Sequence, residues 1–189
     1  MARKLTEKGL KKWLDGFDFE EMKNLVVELY KNLVVELYKV DPMIKERMNV
    51  LVLGEEYIKQ LFEKRRKLLD KAFSWNKWSL KEAKNVLQNF RTECPDDRWY
   101  GEMALYFVEL GVYDVVEFGN TYDPLYRAIE KAFCEVARIA DKDKEIYELW
   151  KNRLNQIVYH TKSEEITDLL LDDYMSIAWV VDELPEWPE

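Results

Sequence analysis

Glu102, Tyr106, Glu109, Tyr113 and Glu117 recur at spacings of four and three. On a helix that spacing lines carboxylates and phenols along one stripe. Paired carboxylates beside tyrosines are groups that do acid/base work or hold a divalent cation. Such sites draw carboxylates from several helices, and the di-iron bundles add Glu-x-x-His. That motif is missing here, so the stripe reads first as a solvated face or a set of inter-helix hydrogen bonds, and second as a small enzyme or metal site on Glu102 and Glu109. His160 is the single histidine; it falls late in a helix, where an imidazolium suits the dipole, and it has no partners at ligand spacing. Cys94 and Cys134 lie far apart, without a Cys-x-x-Cys or Cys/His cluster, and are expected to be reduced, partly buried thiols. No glycine-rich phosphate loop, Gly-x-Ser-x-Gly elbow or Cys/His nucleophile pair is present. No catalytic residue, metal ligand or cofactor is assigned.

Charge asymmetry is the more distinctive chemical feature. From Phe62 to Lys84 the chain holds eight basic residues (Lys64, Arg65, Arg66, Lys67, Lys71, Lys77, Lys81, Lys84) against Glu63, Asp70 and Glu82, a net of +5. Trp75 and Trp78 lie in the same segment. Basic side chains interleaved with aromatics are what a surface needs to follow a phosphate backbone and stack bases. Lys64, Arg65, Arg66, Lys67, Trp75, Lys77 and Trp78 are therefore the candidate partner- or nucleic-acid-binding residues. Ser163 to Glu189, by contrast, carries nine acidic residues and no basic one. An acidic end helix packed near the basic segment would also account for the asymmetry, as would two separately solvated faces.

The elements that must position these groups all read as helices. Six Gly and five Pro in 189 residues leave room for long helices and argue against a loop-rich β fold. With 48% apolar and 35% charged residues the chain is globular, and long enough to bury a core without staples. A net charge of −8 disfavours nucleic acid overall, though not a local basic patch.

Lys4 to Leu14 reads as a short basic helix with Leu10, Trp13 and Leu14 on one face, ended by Gly16. Asp18 with Glu21 has capping-box spacing and opens the next helix, which runs to about Val40. Within it KNLVVELY occurs twice in tandem, at 23–30 and 31–38. Eight residues make about 2.2 helical turns, so the second copy is turned by only about 80° and the helix absorbs it by growing. Asp41-Pro42 restarts the chain; NVLVL after it reads as helix because no second strand is available to pair.

Glu55 to Phe73 follows, with Tyr57, Ile58, Leu61, Phe62, Leu68 and Leu69 inward. Ser79 and Glu82 form a second capping box, and Cys94-Pro95 ends that helix. Asp96 and Asp97 open a central helix with Met103, Phe107, Val108 and Val112 inward; Gly111 marks either a kink or a close-packing point. Asp123-Pro124, Asp141 or Asp143, and Ser163 open the last three helices. Leu149 and Trp150 are expected inward on the second of these, and Ile177, Ala178 and Val181 on the third. The tail PEWPE cannot continue a helix.

The expected architecture is all-α: an irregular multi-helix bundle or a short stack of helical hairpins, with eight to nine helices in a single domain over 1–189 and a loose tail at 184–189. SLKEAKNVLQNF followed by PDDRWYGEMALYFVELGV resembles a bacterial all-helical family known only as a domain of unknown function. The resemblance is carried by Ser79, Glu82 and Ala83, then by Tyr106, Phe107, Val108, Glu109, Gly111 and Val112. KKWLDGFDFEEMKNLVVELY resembles the family's opening helix pair; the duplicated KNLVVELY and the very acidic C-terminus depart from its pattern. The resemblance implies a small bacterial helical protein and carries over no activity and no site residues.

With no apolar signal core at the N-terminus and no run of about 18 apolar residues, a cytoplasmic protein with no membrane partner is expected. The leading functional expectation is a non-enzymatic protein–protein interaction module. The alternatives are a nucleic-acid-associated protein using segment 62–84, and a small enzyme or metal-binding protein using Glu102 and Glu109.

Overall fold

The computed structural model describes residues 16, 18, 20–28, 42–159, 161 and 163–180. Within them every regular element is a helix. Seven helices have both ends described, against the eight to nine expected: α1 (Pro42–Leu53), α2 (Glu55–Ala72), α3 (Leu80–Glu93), α4 (Asp97–Phe118), α5 (Asp123–Lys142), α6 (Lys144–Tyr159) and α7 (Glu164–Met175). Residues 20–28 are also helical. The expected Lys4–Leu14 helix, the second KNLVVELY copy, His160, Val181 and the PEWPE tail lie outside the described residues.

The chain divides into two compact units, Met1–Gly54 and Glu55–Glu189. In the first, the capping box at Asp18 is complete: the Glu21 amide donates to Asp18 Oδ1 at 2.8 Å, and the Asp18 amide donates to Glu21 Oε2 at 3.1 Å. NVLVL is helical, as expected from its helical start and the lack of a second strand to pair with. Gly54 stops α1 with a positive φ of 70°, which a residue without Cβ adopts freely.

The second unit is built around α4, which packs on α2, α3, α5 and α6, while α7 packs on α5 and α6. Residues of α4 are buried around most of its circumference, among them Met103, Ala104, Leu105, Phe107, Val108 and Val112. Asp96 caps its start by accepting from the Trp99 amide at 3.0 Å, and Gly119 ends it in the left-handed conformation. Gly111 is a close-packing point: a Cβ there would lie 2.7 Å from Cγ1 of Ile129 on α5. Gly101 makes a second such contact, against Trp150 of α6.

The remaining caps settle several boundaries. Ser79 Oγ accepts from the Glu82 amide at 3.3 Å, but the Ser79 amide donates to the Ala72 carbonyl at 2.8 Å, so only half of the expected capping box forms. At α5 the cap position belongs to Tyr122, with no side-chain hydrogen bond, and Asp123-Pro124 form the first turn. Asp143 opens α6, its Oδ1 accepting from the amides of Glu145 and Ile146 at 2.9 and 3.4 Å. Asp141 does something else: it accepts from the Ala178 amide at 2.8 Å. Ser163 caps α7 as expected.

Three residues expected inward are exposed instead: Leu68, Leu149 and Ala178. Leu68 and Leu149 sit at the edges of their apolar stripes. Ala178 follows the end of α7 at Met175, where turns replace the helix and break its periodicity. Those turns bury Ile177 and Val180, and Trp179 donates to the Ala140 carbonyl at 3.1 Å.

Candidate functional site

The carboxylate stripe of α4 meets α6, not a second carboxylate. Arg153 grips Glu109 through two hydrogen bonds, Nε to Oε1 at 2.6 Å and Nη2 to Oε2 at 2.9 Å. Its Nη1 donates to Glu102, whose other oxygen accepts from Trp150 Nε1 at 2.7 Å. Burial works against the Arg153 charge, but the hydrogen bonds and charges of Glu109 and Glu102 outweigh it and push the guanidinium pKa above its ordinary value. Two carboxylates whose oxygens are already taken up by Arg153 and Trp150 are poorly placed to coordinate a metal. Among the described residues no group of three or more His, Cys, Asp and Glu is placed to hold a metal ion. Tyr106, on the same stripe, donates to Asp70 of α2 and lies under Arg66, 4.7 Å from its ring centroid. Burial, followed by the hydrogen bond to Asp70, raises its phenol pKa.

The basic segment is split between structural and exposed positions. Arg65 makes a two-point ion pair with Glu93 of α3, which is only 2% exposed. Arg66 stacks on Tyr106, and Trp78 Nε1 donates to Asp114 Oδ2 at 3.1 Å. Lys64, Lys67 and Lys77 are exposed, and Trp75 is 83% exposed. Of the seven residues singled out by type and spacing, Arg65 and Trp78 are thus tied to carboxylates of other helices, while Lys64, Lys67, Trp75 and Lys77 face outward. Among the described residues the acidic helix α7 packs on α5 and α6; the acidic residues from 182 onward lie outside the described residues.

The candidate site lies where the turn at 73–79 meets the end of α4. Trp75 lies 5.5 Å from Phe118 between centroids, Phe118 lies 5.9 Å from Tyr113, and Trp78 lies 5.9 Å from Tyr122. Trp75, Tyr113, Phe118 and Tyr122 are all at least half exposed. Below the rings a cavity of 270 Å³ is lined by Phe73, Trp75, Trp78, Asp114, Phe118 and Asn120.

Asp114 is 6% exposed. Its Oδ2 takes both hydrogen bonds, from Trp78 Nε1 and, at 2.5 Å, from Asn120 Nδ2. Asn120 is held in turn by the Tyr122 amide, which donates to its Oδ1 at 3.1 Å. Local sequence dictates the arrangement. The Ser79 amide reaches back to Ala72 and closes the 73–79 turn, and Gly119 reverses the chain after Phe118. Trp75 and Trp78 were legible as a candidate pair. Asp114 was missed, though its signal was present: a lone carboxylate three residues after Gly111 on a face that is otherwise apolar.

Among the described residues no helix is long and apolar enough to cross a membrane. No family model, no curated protein and no solved structure matches this chain. The functional reading rests on the geometry.

Proposed function

We propose that the protein is a non-enzymatic interaction module whose 55–189 unit engages a protein partner through its aromatic end. The observation that carries this reading is the run of exposed rings, Trp75, Phe118, Tyr113 and Tyr122, gathered where two inter-helix connections meet. Clustered exposed aromatics mark interaction sites, and tryptophan and tyrosine are the side chains that most often dominate interface energetics. The charge next to these rings in the chain is mixed: Lys77 between Trp75 and Trp78, Glu117 before Phe118 and Asp123 after Tyr122 are all exposed. A mixed rim suits a protein surface better than a phosphate backbone. The carboxylates on which the enzyme reading depends are already engaged by Arg153, which favours the module reading over it.

A pull-down from bacterial lysate tests the proposal, with the wild type compared with a Trp75→Ala/Phe118→Ala double variant. Both substituted side chains are largely exposed, so the variant folds. The expected result is a stoichiometric protein band with the wild type that is lost with the variant. A band retained equally by both, or no band with either, overturns it. One observation favours the nucleic-acid alternative: exposed Trp75 stands two residues from exposed Lys77. That alternative gains if the eluate holds nucleic acid that salt releases and that is lost in Lys64→Glu/Lys67→Glu/Lys77→Glu.

A further inference from the structure

Four aromatic rings and one sunken carboxylate line the 270 Å³ cavity at the aromatic end, and Asp114 has no cationic partner among the described residues. A carboxylate only 6% exposed is poorly hydrated, and two neutral donors answer its charge only in part. Its position sharpens the demand. Asp114 stands one turn before the C-terminus of α4, the negative end of the helix dipole, and no basic residue occupies that helix's last turn. The walls are aromatic, and an aromatic ring presents a negative face to a cation that reaches it. Carboxylate and dipole both favour a positive charge at this point.

The hydrogen-bond pattern narrows which cation. Trp78 and Asn120 both bond to Oδ2, and Oδ1 has no donor among the described residues. A guanidinium is best matched by two free carboxylate oxygens, which Asp114 does not offer. A quaternary ammonium carries no N–H for Oδ1. A primary ammonium on an alkyl stem fits both features: one N–H to Oδ1, the remaining charge against ring faces, and methylenes along the indoles. We infer that the cavity receives the side chain of a lysine presented by the protein partner. This rests on the interaction reading above and deepens it, because the exposed outer rings then contact the backbone on either side of that lysine.

The test uses the ¹⁵N-labelled full chain titrated with n-butylammonium chloride at constant ionic strength, following the Trp78 Nε1–H resonance. Tetramethylammonium and guanidinium are titrated in parallel. The expected result is a saturable shift with butylammonium, weaker binding of the other two cations, and affinity lowered at least about tenfold by Asp114→Asn, the scale of one charge-assisted hydrogen bond. Asp114→Asn keeps an acceptor for Trp78 and Asn120. Should it fail to fold, Trp75→Ala, at an 83% exposed position, removes one wall and is expected to weaken butylammonium binding as well.

No saturable shift, or a shift unchanged in both variants, overturns the inference. Tighter binding of tetramethylammonium or guanidinium overturns the choice of lysine. Its failure is distinguishable from failure of the interaction reading. A partner lost with Trp75→Ala/Phe118→Ala but held undiminished by Asp114→Asn leaves the aromatic surface standing and removes the lysine.

Discussion

Replacing Gly101 with alanine puts a methyl group 2.2 Å from Cη2 of Trp150, with Cζ3 and Cζ2 at 3.0 and 3.1 Å. The ring has little freedom to retreat. Trp150 is fully buried, and its Nε1 is tied to Glu102 at 2.7 Å. Two responses remain: α4 and α6 move apart by about 1 Å, or the indole swings and gives up its bond to the carboxylate. Overpacking of this kind costs about 1–3 kcal/mol. Losing a hydrogen bond to a charged group costs about 1.5–3 kcal/mol. Against either stands the helix preference for alanine over glycine, about 1 kcal/mol. The net range is a loss of roughly 0–2 kcal/mol, and a 2.2 Å contact places Gly101→Ala in its upper half, read from urea unfolding as a lower midpoint at unchanged slope.

Gly111→Ala is the control, because its clash is milder, 2.7 Å to the aliphatic Ile129; its net effect should stay within about 1 kcal/mol of zero. Combining Gly101→Ala with Trp150→Phe should recover part of the loss, with a coupling of about 1 kcal/mol in the double-mutant cycle. A Gly101→Ala protein as stable as wild type would refute the claim that α4 and α6 are held in contact at this point.

Three further outcomes are expected. Arg65→Ala removes a two-point ion pair from Glu93, which is 2% exposed, and should cost about 1.5–3 kcal/mol in urea unfolding, whereas Lys67→Ala should stay within about 0.5 kcal/mol; equal effects would mean Arg65 is a surface residue. Iodoacetamide at neutral pH should modify exposed Cys134 first and buried Cys94 only after unfolding, both slowly because burial raises both thiol pKa values; peptide mass spectrometry reads the order. The hydrogen bond from Arg91 holds the Asp97 carboxyl below its ordinary pKa, so its contribution is complete above about pH 4 and is lost as pH falls through the lower, folded-state value. Asp97→Asn should flatten stability against pH in that acid window, by less than about 1 kcal/mol because both partners are partly exposed.

The fold was legible in the sequence wherever a local rule decides an element. Asp18 with Glu21, Ser79, Asp96 and Ser163 announce helix starts by side-chain chemistry that acts within four residues. The apolar spacing of Met103, Phe107, Val108 and Val112 gives the buried side of α4. The site was legible only in part, because residue type reports what a group can do and not what already occupies it. Arg65 reads as free charge until Glu93, 28 residues on, is seen to hold it. Glu102 and Glu109 read as a carboxylate pair until Arg153, 44 residues beyond Glu109, closes on them. Exposed Leu68 and Leu149 show the same limit from the apolar side: periodicity names a face, and the neighbouring element decides how far that face is covered.

The near-complete enclosure of α4 bears on which parts of the molecule open, and when. Amides between Met103 and Val112 lie in a helix packed by four others, so no local fluctuation lets water reach them, and they should exchange hydrogen only through global unfolding. Their protection factors then measure the stability of the whole 55–189 unit. The turns at 73–79 and 119–122, at the rim of the same helix, should exchange far sooner. Binding chemistry placed at that rim sits on backbone that can adjust to a partner while the central helix stays closed, so occupancy there should slow exchange of the turns and leave the slowest amides as they were.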